Sequence, residues 1–333
     1  MQTKLTRRQA GKLALGAVAS AAVIRPASAQ QIKLKIGHPL VPSDAAHTSM
    51  MSLAENLKKN SGGRFDVEVF PADQMGRQKD VGEMVRQGAN VLQLTDPLFL
   101  GDFVPDAAIL QAPYFLDKPQ DFQKLVGSDW LNDLTARLSA KGLHTVAWNG
   151  YFGTRQMMSK KPIRRIEDLA NLNFRCAPAP MYVETVKALG AKPVTTGFAE
   201  VYTGLAQGAL DMLEAPLPTM WASKFYEQAK FVTLTAHMFG FAPLIVSTTW
   251  YKALPPDMQK LLVTEAVNAS SLLTKLKSDE EAEIQKKYEA AGVTIIRDID
   301  REPLKKATAV VYEKYAGWTP GLRGKVQAIL AKA

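Results

Sequence analysis

The chain has 333 residues, with 41 Lys plus Arg against 32 Asp plus Glu, a formal net charge of +9 and one cysteine. That length at 47% hydrophobic content is enough to bury one or two sizeable cores. One cysteine excludes an internal disulfide framework, and no Lys/Arg run interleaved with aromatics marks a nucleic-acid surface.

Residues 1–29 read as an export signal peptide. Arg7 and Arg8 open a basic region that ends at Lys12, Leu13 to Ile24 is a short apolar run, and Ala27-Ser28-Ala29 is a cleavage site. The apolar run is too short to span a bilayer. The paired arginines resemble a twin-arginine signal, although Gln9-Ala10-Gly11 depart from its usual continuation, so the general secretory route also stays open. Removing this segment takes away Lys4, Arg7, Arg8, Lys12 and Arg25 and no acid, which lowers the charge from +9 to +4. The mature chain is therefore mildly positive, of use in attracting small anions, and is expected in the periplasm with no membrane insertion after cleavage.

Short β runs then alternate with amphipathic helices, the signature of an α/β fold. Residues 32–38 read as a strand, Ser43 as the cap of a helix to Asn60, 65–70 as a strand, and 77–87 as a helix closed by Gly88. Residues 91–95 are a short apolar strand, buried on both faces. This βαβαβ order predicts a doubly wound sheet, with ligands beyond the carboxyl ends of its strands at His38-Pro39, the Phe70-to-Gly76 loop and Thr95-Asp96. Residues 143–149 are a further strand, and Gly150 to Gly153 reads as a flexible crossing point. A second alternating set follows: strand 173–176, helix 181–189, strand 192–195, helix 198–207 and strand 212–214. The two sets suggest two lobes around a cleft. Pro255 to Ala291 is helical for nearly forty residues, long enough for a strut across both lobes, bent near Ser278-Asp279. The tail after Gly321 is one more amphipathic helix.

Arg155 and Arg175 lie in strand-like runs, GTRQ and NFRCAP. Arginine offers a planar fork of donors that matches a carboxylate bidentately. Its alternative here is an internal salt bridge to Glu184, Glu200 or Glu214. Phe198 begins a helix beside Gly197, either as an apolar wall of the site or as core. Asp96, Trp148, Asn149 and Gln74 stand at strand ends or in loops, and Glu214 ends a strand. His38, His47, His144 and His237 are too scattered for a metal site, and no nucleophile elbow, P-loop or dinucleotide fingerprint appears, so neither a cofactor nor an enzyme activity is expected. Cys176 reads as a small buried hydrophobe in its strand.

The mature chain resembles the substrate-binding receptors of TRAP (tripartite ATP-independent periplasmic) transporters. The segments that carry the resemblance include IGHPLVPSDAAH, FPADQMGRQKDVGEMVRQGANVLQLTD, GTRQMMSKKPIRRIEDLANLNFRCAP and FAEVYTGLAQGALDMLEAPL. It implies two α/β lobes with crossing strands and one long lobe-spanning helix. Lobe I would hold 30–152 and 241–280, and lobe II 153–240 and 281–333. It implies that Arg175 pairs bidentately with a ligand carboxylate, that Arg155 assists and that Phe198 packs against the ligand. Ala215 stands where sialate receptors carry an asparagine, and Thr95 where they carry an acid. His38 and Pro39 replace a polar residue, and Arg77 replaces a position where an acid can occur. The sugar-acid contacts are thus mostly missing, which implies a smaller or more apolar carboxylate, with Trp148, Phe152 and Trp221 either as further walls or as core. The implied partner is a TRAP-type membrane permease. The alternatives are a receptor for a sensor kinase and an exported hydrolase or lyase.

Overall fold

A computed structural model describes residues 31–315 and 317–332; the expected signal peptide lies outside them. In chain order the elements are β1 (Ile32–Gly37), α1 (Ala45–Asn60), β2 (Phe65–Phe70), α2 (Gln78–Arg86), β3 (Val91–Leu94), α3 (Pro97–Leu100), α4 (Asp129–Ala140), β4 (Leu143–Ala147) and β5 (Tyr151–Ser159). Then come β6 (Asn173–Cys176), α5 (Pro180–Ala188), β7 (Lys192–Thr195), α6 (Val201–Ala206), β8 (Met212–Pro216), α7 (Leu217–Ala222), β9 (Phe231–Phe241) and β10 (Leu244–Ser247). The chain closes with α8 (Thr248–Ala253), α9 (Pro256–Ala290), β11 (Thr294–Ile296), α10 (Glu302–Lys314) and α11 (Leu322–Lys332).

The strands form two mixed sheets. One has the order β2-β1-β3-β10-β4, the other β11-β9-β5-β8-β6-β7. In the first, β1 runs parallel to β2 and β3, as the βαβαβ reading requires, and all four residues of β3 are buried. The chain passes between the sheets three times, from β4 to β5, from β9 to β10 and, through α8 and α9, from β10 to β11. Residues 151–153 belong to β5 and are not a flexible crossing, because Tyr151 and Gly153 pair with Phe241 and Gly240 of β9. Gly153 is required there. Its φ is +128°, and a β-carbon would sit 2.6 Å from Pro216 Cβ.

The long helix α9 runs 35 residues, about 50 Å at 1.5 Å per residue, without interruption through Ser278. Pro256 at its first turn fixes the entry, and Gly292, at φ +74°, lets the chain leave it. Met258, Leu262, Ala266, Ala269, Leu273, Ile284 and Tyr288 form its buried stripe, at spacings close to the helical repeat. It packs on α1 and β4 at one end of its length and on α7 and β11 at the other, so one rigid element braces both sheets.

Lys277 sits in that stripe, fully buried. Its ammonium donates to the Asp44 carboxylate at 2.8 Å and to the Thr219 hydroxyl at 3.0 Å, and lies 5.1 Å from the centre of the Phe152 ring. Asp44 also caps α1 by accepting from the Ala46 amide at 2.8 Å. The cap is therefore Asp44 rather than Ser43, whose hydroxyl instead donates to the Ala222 carbonyl. A neighbouring pair completes this corner. The Leu40 amide donates to His38 Nδ1, which leaves the ring proton on Nε2 to meet His47 Nδ1 at 3.1 Å. Burial, with His47 beside it and Asp44 opposing, pushes His38 down to about 4.

Two consequences can be measured. Lys277→Ala leaves the Asp44 carboxylate enclosed without its cation, and should cost about 3–5 kcal/mol in chemical denaturation. The double variant Asp44→Asn/Lys277→Met should recover most of that loss; a single-variant cost below about 1 kcal/mol would show that the pair contributes no net stability. For His38 the folded value lies below the usual unfolded value of about 6.5, so the unfolded chain binds more protons between those limits and stability rises with pH. This contribution, about 2–4 kcal/mol, is complete above about pH 6.5 and is lost as pH falls toward 4. The difference in unfolding free energy between wild type and His38→Gln across that range should track the loss; a difference independent of pH would refute it.

Candidate functional site

The main cavity opens where the carboxyl ends of β1 and β3 and the β2–α2 loop face the second sheet. Its wall includes Pro39, Asp73, Thr95 and Asp96 from the first side and Arg155, Arg175, Gly197, Phe198, Ala215 and Thr219 from the second. Phe99, Phe152, Phe241, Leu40 and Leu94 give it apolar surface. This is the position expected of a ligand site in a doubly wound sheet.

Arg175 lies in the middle of β6 and is only 3% exposed. Its Nη2 donates to the Thr196 carbonyl at 2.9 Å, its Nε has no hydrogen-bond partner among the described residues, and its guanidinium carbon lies 5.4 Å from the centre of the Phe198 ring. Among the described residues no carboxylate lies within ion-pair distance of it. Burial lowers its pKa, with the more distant Glu214 opposing, yet a guanidinium remains charged.

Arg155 has the opposite surroundings. Its Nε and Nη2 grip the two carboxylate oxygens of Glu214, with Nη2 to Oε1 at 2.7 Å. Both side chains are buried. Burial alone would raise the Glu214 carboxyl, but Arg155, helped by His237 at 3.4 Å, outweighs it and holds it at about 2. Strand register explains the pair. Met157 lies opposite Glu214 across β5 and β8, so Arg155, two residues earlier on the same face, is its diagonal neighbour. The internal salt bridge weighed for the arginines is thus realised for Arg155 and not for Arg175.

Asp96 caps α3, with Oδ1 accepting from the Leu98 amide at 2.7 Å. Its Oδ2 accepts from Tyr182 Oη at 2.8 Å and from Gln111 Nε2 at 2.9 Å. Burial raises its pKa against the pull of Arg155. At the mouth, Arg77 Nη2 meets Glu200 Oε1 at 2.6 Å, joining the start of α2 to the 3-10 turn Phe198–Glu200. Asp73, raised by burial, stands beside them in a loop where Ala72 and Asp73 both adopt positive φ. A β-carbon on Gly197 would lie 3.7 Å from each of Arg77 Nε, Asp73 Oδ2 and Glu200 Cδ.

Of the residues singled out in the sequence, Arg155, Arg175, Phe198, Ala215, Thr95, Asp96 and Arg77 share this wall. Six candidates do not line it: His38, Gln74, Trp148, Asn149, Glu214 and Trp221. His38 points to His47 and the Leu40 amide, and Pro39 beside it faces the cavity instead. Trp148 donates to Thr135 in α4, and Asn149 donates to Val267 and Ser271 of α9. Glu214 stands behind Arg155 as its counterion. Trp221 stacks on Tyr226, with ring centres 4.3 Å apart, rather than walling the site. Sequence reasoning missed Asp73, Thr219 and Tyr182. Asp73 lay inside the flagged loop after β2, and Tyr182 follows the carboxyl end of β6, so the strand-end rule applied to the second sheet would have reached it.

The description "bacterial extracellular solute-binding protein, family 7" belongs to a family model that matches residues 36–317. The chain is 27% identical over 292 residues to the 2,3-diketo-L-gulonate-binding periplasmic protein YiaO of Escherichia coli, covering 87% of this chain and 88% of that one. It is 27% identical over 303 residues, 90% of each chain, to the C4-dicarboxylate-binding periplasmic protein DctP of Rhodobacter capsulatus. Among solved structures, a TRAP periplasmic solute binding protein from Ochrobacterium anthropi with bound L-fuconate superposes with a TM-score of 0.86 at 32% identity, over 90% of this chain and 99% of that one. These relatives are periplasmic receptors and not enzymes, and the solved structure shares the two-sheet α/β architecture. The chain belongs to this DctP family of bacterial extracellular solute-binding proteins, the periplasmic receptors of TRAP transporters.

Proposed function

We propose that the protein captures a small organic acid in the cavity around Arg175 and delivers it to a TRAP-type membrane permease. The observation that supports this most directly is the Arg175 guanidinium, 3% exposed, with its Nε unpartnered and no carboxylate paired to it among the described residues. A buried charge without a counterion costs several kcal/mol unless something completes it. A ligand carboxylate would do so, with Phe198 against its apolar part. The Arg155–Glu214 pair keeps the floor of the site rigid and contributes little net charge. The L-fuconate and 2,3-diketo-L-gulonate named for relatives are acids of the required kind. On this reading the lobes comprise 30–152 with 241–280 and 153–240 with 281–333, and they close on the acid by population shift.

The test is a thermal-shift and calorimetric screen of residues 30–333 against organic acids. An acid at about one hundred times its dissociation constant stabilises by about 2.7 kcal/mol, a clear rise in the melting midpoint. Arg175→Ala should weaken that acid by about 2–5 kcal/mol, and Arg175→Lys should also weaken it, since an ammonium lacks the planar fork. Unchanged affinity in Arg175→Ala would refute the proposal. A second outcome separates ligand binding from a structural role. Without acid, Arg175→Met should be at least as stable as wild type, because it removes an uncompensated buried charge; a loss of several kcal/mol would mark Arg175 as structural.

A further inference from the structure

We infer that the cavity selects a monoanion: one carboxylate on Arg175, attached to a body that carries no second negative charge. This rests on the reading that the cavity holds an organic acid, and it follows from the way charges are paired around that space.

Two of the guanidiniums that reach the wall are already matched. Arg155 is held by both oxygens of Glu214, and Arg77 by Glu200 at the mouth. Arg175 is the guanidinium left without a carboxylate among the described residues. Facing it on the wall are Asp73 and Asp96, neither ion-paired to a Lys or Arg among the described residues. Asp96 instead accepts neutral hydrogen bonds from Leu98, Gln111 and Tyr182.

With Asp73 and Asp96 both ionised the site already carries more negative charge than Arg175 can balance. Of the cations on the described wall, what remains for a ligand is the charge of Arg175 alone. A monoanion balances it. A dianion would place its second carboxylate near Asp73 or Asp96, or against Phe99, Phe152, Phe241 and Leu94, which supply no donor side chain. The remaining polar lining, Gln78, Thr95, Tyr182 and Thr219, is neutral and suited to hydroxyl or carbonyl groups. The charge count decides what the relatives leave open, since one is named for a C4-dicarboxylate and others for sugar acids with one carboxylate.

Matched acids test this by titration calorimetry on the mature chain: D-galactonate against galactarate, L-threonate against tartrate, and pentanoate against glutarate. Each pair keeps the carbon skeleton and adds one carboxylate. In every pair that binds, the monoacid should be tighter by on the order of 100-fold, the cost of one like charge about 6 Å away at an effective dielectric of about 20. Asp96→Asn should narrow that ratio by about tenfold or more. Asp73→Asn serves the same purpose should Asp96→Asn fail to fold, because asparagine tolerates the positive φ of that loop position. A dicarboxylate that binds as tightly as its partner, or a ratio unmoved in the folded aspartate variant, overturns the inference while leaving the acid-receptor reading intact. Binding of neither member of any pair, in protein that folds, removes the acid-receptor reading and this inference with it.

Discussion

The desolvation of Arg175 is the constraint on which the rest of the site turns. A guanidinium taken almost wholly out of water loses its hydration, and here it regains one carbonyl and the face of one aromatic ring. Sheet geometry enforces this. Arg175 is the third residue of a four-residue strand paired to β7, next to β8, so its side chain is committed to the cavity face by the alternation of the strand. The low-dielectric walls that make the charge expensive also make any anion that reaches it bind strongly. Cys176, the next residue along, turns to the opposite face, and burial raises its thiol to about 11; it belongs to the core and not to the site.

Arg155 shows how little residue type decides alone. The same side chain, in a strand of the same sheet and also lining the cavity, is neutralised by a diagonal cross-strand carboxylate. The pair fixes Arg155 against Tyr182, whose ring lies 5.1 Å from the guanidinium and whose hydroxyl reaches Asp96. A continuous polar chain therefore runs from His237 through Glu214 and Arg155 to Tyr182, Gln111 and Asp96, tying β9, β8, β5, α5 and the start of α3 together. Its members are held by one another, so the cavity keeps its shape while Arg175, without a carboxylate partner among the described residues, keeps its charge.

Much of this was legible from periodicity and punctuation. The βαβαβ opening, the long helix from Pro256 and the tail helix after Gly321 follow from local spacing, Pro and Gly signals that packing reinforces, whereas the bend expected near Ser278-Asp279 is absent from the helix. The strand-end rule found Pro39, Thr95, Asp96 and the loop that carries Asp73. It failed at Trp148 and Asn149 because β4 is an edge strand paired antiparallel to β10, and α4 and α9 cover its exit. Pairings between distant residues leave no periodic trace. Nothing local distinguishes Arg155 from Arg175, or Asp44 from Ser43 as the cap of α1, because the deciding partners, Glu214 and Lys277, lie 59 and 233 residues away.

The mouth of the cavity completes the electrostatic argument. Arg77 and Glu200 meet across it, but their side chains are 58% and 49% exposed, and an exposed pair of this kind contributes about 0–1 kcal/mol. Such a pair can align the two sides without holding them shut. The energetic preference for a closed arrangement must then come from deeper in the site, where an anion would meet Arg175 away from water. On the proposed reading, binding strength and closure would be set by the same buried contact. The buried Lys277–Asp44–Thr219 contact differs, because it ties α9, the cap of α1 and α7 together away from solvent.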